Sequence, residues 1–145
     1  MTKTIFVLNG PNLNMLGRRE PGIYGGKTLV DIEADCKDAG DALGFTIDFR
    51  QSNHEGKLVD WLHEANDKAI GVAINPGAYG HTSIALHDAI RAIAVPVVEV
   101  HISNIHAREE FRHKSMIAPA AKGMICGFGP HSYILALHAL KNITQ

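Results

Sequence analysis

The sequence predicts an α/β protein with an open parallel sheet that is covered by helices on both faces. Strand-like and helix-like patterns alternate along the whole chain, which is typical of this class. The strand candidates are short apolar runs, as expected of strands buried on both faces. No linker, repeat or low-complexity tract interrupts the 145 residues. We therefore expect a single domain over residues 1–145, with five strands in the common order 2-1-3-4-5.

The first strand and the first helix have clear boundaries in the sequence. Residues 5–8 form a continuous apolar run. Thr28 with Asp31 three positions later is a variant of the capping box, which predicts the start of a helix. Gly44 then marks the end of that helix. Residues 45–49 alternate between apolar and polar, which favours an outer strand.

The remaining elements follow the same alternation. A second helix is expected to start near Ser52 or Asn53, and Thr82 or Ser83 can cap a third. Pro130 lies near the predicted start of the last helix. The other strand candidates are residues 70–74, 95–100 and 123–127.

Composition restricts the classes of partner. The 14 basic and 15 acidic residues nearly cancel, which argues against nucleic acid or an anionic membrane as the main partner. Cys36 and Cys126 stand in apolar surroundings without metal-ligand spacing, so we expect buried free thiols in a reducing compartment. No apolar run approaches the 18 or so residues of a membrane span or forms a signal-peptide core. The chain is therefore expected to be cytoplasmic.

Unusual polar residues cluster after three of the predicted strands. They lie in residues 9–14, 75–81 and 101–104, which follow strands one, three and four. In open α/β sheets, ligands bind at the carboxyl ends of the strands where the strand order reverses. With the order 2-1-3-4-5 that point lies between strands one and three, so these loops are the candidate site.

An acid is suggested at the end of the fourth strand. His101 follows Glu99 by two positions, which places both side chains on one face of a strand. Glu99 could hold the imidazole in one tautomer and prepare it to donate a proton. The alternative is a histidine that only satisfies a backbone carbonyl at a strand end. Consecutive N–H groups of Ile102 and Ser103, with the Ser103 hydroxyl, could hold a carboxylate.

A base is suggested in the Gly/Pro-rich loop of residues 18–26. Tyr24 follows Arg18 and Arg19 by a few positions in this loop. A cation a few ångströms away can lower the pKa of a phenol by about 1–3 units, which makes such a tyrosine a candidate general base. The alternative is a surface loop whose tyrosine packs on the body of the protein.

Other chemistries fit less well. Lys27 and Thr28 resemble the end of a P-loop, but Pro21 stands where the first glycine is required. A receiver domain would carry an aspartate at Asn75, and a hydrolase elbow, Gly-x-Ser-x-Gly, is missing. The histidines show no metal-site spacing, so no metal is expected.

The remaining polar residues suit a small polyhydroxylated acid. Asn75 and His81 are neutral groups suited to hydroxyl recognition. Arg112 lies in a charged run, residues 108–114, which is typical of a solvated helix face. A base, an acid and an amide-rich pocket together favour proton abstraction next to a carbonyl, with loss of water.

Several segments, in one order across nearly the whole chain, match a known family. They are residues 9–17, 19–21 with 24–25, 51–56, 74–79 with 81–83, 99–104, 107–112 and 127–129. On these segments the chain resembles the type II 3-dehydroquinate dehydratases (type II dehydroquinases). It departs from the family pattern at Gly26, Lys27 and Gly80, none of which removes a functional side chain.

The resemblance implies a flavodoxin-like three-layer α/β/α fold and the dehydration of 3-dehydroquinate to 3-dehydroshikimate in the shikimate pathway, by anti elimination through an enolate. It implies that Tyr24 takes the proton from C2 while Arg19 favours its phenolate. Asn12, through a bound water, would stabilise the enolate oxygen. His101, supported by Glu99, would protonate the departing C1 hydroxyl. The implied binding residues are Ile102 and Ser103 for the carboxylate, and Asn75, His81 and Arg112 for the hydroxyls.

The resemblance also implies an assembly, a dodecamer of four trimers in which Asp88 reaches the active site of a neighbouring subunit. It implies no metal and no organic cofactor. The alternative reading of the same residues is a non-catalytic flavodoxin-like module that binds a small hydroxylated carboxylic acid.

Overall fold

The computed structural model of the protein describes residues 2–18 and 26–145. Its centre is a parallel sheet of five strands in the order β2-β1-β3-β4-β5, as the sequence predicts. The strands are β1 Thr4–Asn9, β2 Thr46–Gln51, β3 Gly71–Asn75, β4 Val97–His101 and β5 Gly123–Cys126. The central strands β3 and β4 are buried along their whole length, which explains their continuous apolar sequence.

Four α-helices cover the sheet in two layers. They are α1 Leu29–Leu43, α2 Glu55–Lys68, α3 Ile84–Ala92 and α4 His131–Thr144. Helices α1 and α4 pack on one face, where Ile32 and Leu137 lie in one apolar core with Ile5 of β1. Helices α2 and α3 pack on the other face, where Leu62 and Leu86 belong to a second core. This is the expected three-layer arrangement.

Local signals fix most helix ends. The Thr28 Oγ1 accepts the N–H of Asp31 (3.2 Å) and the Asp31 carboxylate accepts the N–H of Thr28 (3.0 Å), so the capping box is confirmed. Gly44 ends α1 in the left-handed region at φ 82°. Ser83 caps α3 by accepting the N–H of Leu86 at 2.9 Å. Pro130 directly precedes α4.

The expected start of the second helix is wrong. The helix begins at Glu55, after His54, and not at Ser52 or Asn53. Strand β2 continues to Gln51, and both polar side chains serve the turn between the two elements. The Ser52 Oγ accepts the N–H of His54 at 3.0 Å, and the Asn53 Oδ1 accepts the N–H of Asn12 at 3.0 Å.

The two cysteines differ. Cys36 is buried with a free thiol, and burial raises the pKa of that thiol to about 12. Cys126 is also free but only half-buried, so the expectation of a buried thiol holds for Cys36 alone. In the described part of the chain, no helix combines the length and the apolar character that crossing a membrane requires.

The loops that follow β1 and β3 interlock through two glycines and two prolines. The N–H of Gly10 donates to the carbonyl of Asn75 at 2.8 Å. A Cβ at Gly10 would lie 2.3 Å from the carbonyl oxygen of Pro76. Gly77, at φ 58°, lies against Pro11 in the same way, because a Cβ added there would lie 3.1 Å from the Pro11 carbonyl oxygen. Only glycine permits so close an approach of the two loops.

We expect Gly10→Ala to destabilise the protein by about 1–3 kcal/mol or more, because the new methyl group would overlap the Pro76 carbonyl. The measurement is urea unfolding of parent and variant at one protein concentration. Gly56→Ala is the matched control, because a Cβ there meets no atom within 4 Å and Gly56 lies in α2. Gly56→Ala should stabilise the protein by up to about 1 kcal/mol, because alanine favours the helix more than glycine does. Equal stability of Gly10→Ala and the parent would contradict the interlocked arrangement.

Candidate active site

A cavity opens at the carboxyl ends of β1, β3 and β4, where the strand order reverses. Three segments of the described chain line it. They are Pro11, Asn12 and Leu13 after β1; Asn75 at the end of β3, with Gly77, Ala78 and His81 after it; and His101 at the end of β4, with Ile102, Ser103, Ile105, Arg108 and Arg112 after it. The sequence predicted this position from topology.

Most of the site residues expected from sequence meet at this cavity. They are Asn12, Asn75, His81, His101, Ile102, Ser103 and Arg112. Asp88 is exposed on α3 and lies in a different groove of the same chain, beside Ile84 and His87. Arg19 and Tyr24 lie outside the described residues.

The backbone of Asn12 is fixed by a polar cluster below it. Asn12 lies in the left-handed region at φ 68°, which asparagine tolerates better than most residues. Its N–H donates to the Asn53 Oδ1, which also accepts from the Gln51 Nε2 at 3.1 Å. The Tyr79 hydroxyl donates to the Asn53 carbonyl at 2.7 Å. The exposed side chain of Asn12 is thereby presented at the edge of the cavity.

A buried chain of hydrogen bonds orients the Asn75 amide. The Asn75 Nδ2 donates to the Tyr133 hydroxyl at 2.8 Å, and that hydroxyl donates to the Asn9 Oδ1 at 2.6 Å. Burial raises the pKa of the Tyr133 phenol, which therefore stays protonated as a donor. The Asn75 Oδ1 accepts the N–H of Gly77 at 3.2 Å. The amide thus has one fixed orientation, with one Nδ2 proton that no described residue accepts.

Glu99 and His101 form a buried pair at the end of β4. Glu99 is fully buried and His101 is 5% exposed. The Nε2 of His101 is hydrogen-bonded to the Glu99 Oε2. The expectation that both side chains share one face of the strand is confirmed. The alternative, a histidine that serves a backbone carbonyl, does not describe His101. The Ser115 hydroxyl donates to both carboxylate oxygens of Glu99, at 2.7 and 2.8 Å.

His81 stacks against His101 but has a different partner. The two ring centroids lie 5.8 Å apart, with an angle of 25° between the planes. The Nδ1 of His81 lies 2.9 Å from the Lys114 carbonyl, and because a carbonyl only accepts, Nδ1 carries the proton. Burial lowers the pKa of His81, so its ring is neutral near pH 7. In this tautomer Nε2 is an acceptor that no described side chain uses.

The charged run of residues 108–114 is not a solvated helix face. It follows one short 3-10 helix, Ile105–Ala107, and contains a second, Glu110–Arg112. These two turns bring both Arg108 and Arg112 to the wall of the cavity. The Arg112 Nε donates to Glu109 at 3.1 Å, and the Arg108 Nη1 lies 3.4 Å from the Ser103 Oγ.

Sequence reasoning missed several residues of this site. Arg108 lines the cavity, and its spacing of four from Arg112 was the only signal for it. Tyr133, Asn9 and Ser115 orient side chains of the site from outside the cavity wall, and nothing local in the sequence indicates their partners. Within residues 2–18 and 26–145, no group of three or more His, Cys, Asp or Glu side chains is placed to hold a metal ion.

Known proteins match this sequence over nearly the whole chain. Residues 3–141 match the family model described as dehydroquinase class II. A 3-dehydroquinate dehydratase of Rhizobium etli (strain CIAT 652) is 85% identical over 144 residues, 99% of each chain. The protein of that name from Rhizobium meliloti (strain 1021) is 80% identical over 145 residues, 100% of this chain and 98% of its own.

Solved structures extend the agreement to three dimensions. The type II dehydroquinase of Propionibacterium acnes superposes with a TM-score of 0.94 at 47% identity, covering 98% of each chain. A 3-dehydroquinate dehydratase-like protein of Bifidobacterium longum superposes with a TM-score of 0.74 at 34% identity, covering 99% of this chain and 98% of its own. By fold and by sequence, the chain belongs to the class II dehydroquinase family.

Proposed function

We propose that this chain dehydrates 3-dehydroquinate to 3-dehydroshikimate by anti elimination through an enolate, with Tyr24 as the base and His101 as the acid. The dehydratase activity itself, that of a hydro-lyase of the shikimate pathway, follows from family membership. The assignment of His101 as the acid is carried by one observation, the buried Glu99–His101 pair, whose histidine lines a polar cavity.

His101 is suited to protonate the departing C1 hydroxyl. An ionised Glu99 keeps a proton on Nε2 of the ring, because a carboxylate accepts but does not donate. The proton given to the substrate then comes from Nδ1, and the ring passes from the cation to the neutral Nε2–H form. The full burial of Glu99 excludes water that would compete with His101 for its carboxylate.

Tyr24 and Arg19 are assigned from the sequence and the family resemblance. The described chain reaches Arg18 and resumes at Gly26, close to the loop that carries Asn12. In the proposed mechanism Arg19 stabilises the Tyr24 phenolate, which takes the proton from C2. Asn12, through a bound water, stabilises the enolate oxygen that forms.

The cavity offers complementary groups to a hydroxylated acid. The Asn75 Nδ2 can donate a hydrogen bond to a substrate hydroxyl, and the His81 Nε2 can accept one from a substrate hydroxyl. The backbone of Ile102 and Ser103 is proposed to hold the carboxylate, with the positive charge of Arg108 on the same wall. Arg112 is proposed to bind a further hydroxyl.

The proposal includes an assembly and no cofactor. We propose a dodecamer of four trimers in which Asp88 completes the site of a neighbouring subunit. The exposed position of Asp88, outside the cavity of its own chain, supports this role. The chemistry needs neither a metal nor an organic cofactor, since acid, base and enolate stabiliser are side chains. The proposed location is the cytoplasm, and neither nucleic acid nor a membrane is a partner.

The direct experiment is a continuous ultraviolet assay. Adding 3-dehydroquinate to the purified protein should produce the conjugated enone of 3-dehydroshikimate, with an absorbance that rises in proportion to protein concentration. A protein that binds the substrate in calorimetry but gives no rise above the buffer control would instead be the non-catalytic binding module.

We expect Tyr24→Phe to keep substrate affinity and to lose about 10²–10⁴-fold in kcat, the usual contribution of a general base. The measurements are steady-state kinetics and calorimetric binding. Tyr79→Phe removes a phenol hydroxyl that bonds to the Asn53 carbonyl, and it should retain far more of the rate. Turnover of Tyr24→Phe near the parent rate would exclude Tyr24 as the base.

We expect Glu99→Gln to lower kcat by about 10²–10⁴-fold, because a neutral amide no longer fixes the His101 proton on Nε2. Glu64→Gln is the same chemical change at a carboxylate that pairs with Arg50, away from the cavity, and it should leave kcat near the parent value. Equal rates for the two variants would show that the Glu99 charge has no part in the reaction.

A further inference from the structure

Ser115 lies next to the site, and its single hydroxyl makes four hydrogen-bond contacts. It is half-buried and lies between the 3-10 helices Glu110–Arg112 and Ala118–Ala120. It does not line the described cavity wall, but its hydroxyl lies 2.7 and 2.8 Å from the two oxygens of Glu99. The same hydroxyl oxygen accepts the N–H groups of Ile117 at 3.3 Å and Ala118 at 3.0 Å.

These contacts determine the direction of the Ser115 proton. A serine hydroxyl has one proton and two acceptor lone pairs. Because the amides of Ile117 and Ala118 occupy the acceptor side, the single proton must point toward the Glu99 carboxylate. The hydroxyl is therefore a fixed donor and does not rotate to suit its partner.

A fixed donor to Glu99 affects the hydrogen bond between Nε2 of His101 and the Glu99 carboxylate. If the proton of this bond moved from Nε2 to the carboxylate, Glu99 would become a poorer acceptor for Ser115. Ser115 thus favours the arrangement in which Nε2 of His101 donates to the Glu99 carboxylate. Among the described residues, the other charged or titratable groups beside this pair are His81, which stacks on His101, and Arg108 and Arg112, which line the same cavity wall.

The main chain around Ser115 is anchored independently of its hydroxyl. The Lys114 carbonyl accepts from His81, and the Met116 N–H donates to the Gly80 carbonyl at 2.7 Å. The Met116 carbonyl lies 2.7 Å from the Nδ1 of His87. Removing the hydroxyl leaves these contacts of residues 114 and 116 intact but also frees the N–H groups of Ile117 and Ala118. A loss of rate therefore reports on Glu99 only where it disappears in the Glu99→Gln background.

We propose that Ser115 is a positioning residue for the acid: by donating to both oxygens of Glu99 it holds the carboxylate in the orientation that keeps Nε2 of His101 as a donor, so that His101 delivers its proton from Nδ1. This rests on the proposed function, in which His101 is the acid. Ser115 itself touches neither the substrate nor the reacting atoms.

The first test removes the hydroxyl and uses a threonine and valine pair to control for side-chain volume. Ser115→Ala and Ser115→Val should lower kcat by about 10- to 100-fold with little change in KM, since a hydrogen bond to a charged group is lost. Ser115→Thr, which matches valine in shape and keeps the hydroxyl, should recover most of the rate. Equal rates for the threonine and valine variants, or normal kcat in Ser115→Ala, would overturn the proposal.

The second test asks whether Ser115 acts through Glu99. In a double-mutant cycle, Ser115→Ala should add little to the loss already caused by Glu99→Gln, because the group it positions is gone. A partly misfolded variant would instead lower the rate by the same factor in both backgrounds. Full multiplication of the two losses would therefore overturn the proposal.

A measurement that does not depend on turnover can test the role of Ser115 separately from the proposed function. In a crystal structure of Ser115→Ala, the Glu99 carboxylate is expected to leave its position against His101, and an unmoved carboxylate would overturn the inference. A parent protein that fails to dehydrate 3-dehydroquinate would reject the proposed function, while this structural comparison would still decide what Ser115 does.

Discussion

The close approach of the loops after β1 and β3 is the constraint on which the site depends. The two loops share the bond from Gly10 to the Asn75 carbonyl, and each glycine makes room for the proline of the other loop. Asn12 and Asn75 are therefore held at a fixed separation on opposite sides of one junction. A parallel sheet supplies the crevice at this point, and the two glycines determine how narrow it is.

The polar side chains at and behind the cavity wall are held in fixed orientations by hydrogen bonds to the rest of the protein. Asn75 is oriented through Tyr133, His81 through the Lys114 carbonyl, and Glu99 through Ser115. The Asn75–Tyr133 contact is buried, and there an unpaired polar group costs about 1–3 kcal/mol. The interior therefore selects one orientation of each side chain before any substrate arrives, which is the preorganisation that catalysis requires.

The sequence was sufficient for features that depend on neighbouring residues. The capping box at Thr28, the stop at Gly44 and the shared face of Glu99 and His101 involve spacings of a few positions, and all are found as expected. The strand order placed the site correctly, because topology alone determines where parallel strand ends meet.

The features that were missed depend on contacts between distant parts of the chain. Ser115 and Glu99 are 16 positions apart, and Tyr133 meets Asn9 across 124. Charge patterning could not distinguish a solvated helix from the two short turns that carry Arg108 and Arg112 inward. The start of α2 was misplaced because the side chains of Ser52 and Asn53 serve a turn and the neighbouring loop.

The stacked rings of His81 and His101 show how one kind of side chain acquires two chemical characters. Their planes lie side by side, yet one ring faces a carbonyl oxygen and the other a carboxylate. Burial lowers the pKa of His81, whose Nδ1 donates a hydrogen bond to the carbonyl, so its ring is neutral near pH 7. A carboxylate faces His101 instead, and a carboxylate, unlike a carbonyl, can balance the charge of an imidazolium. Two identical imidazoles in contact thus differ in chemistry through burial and through the oxygen that each ring faces.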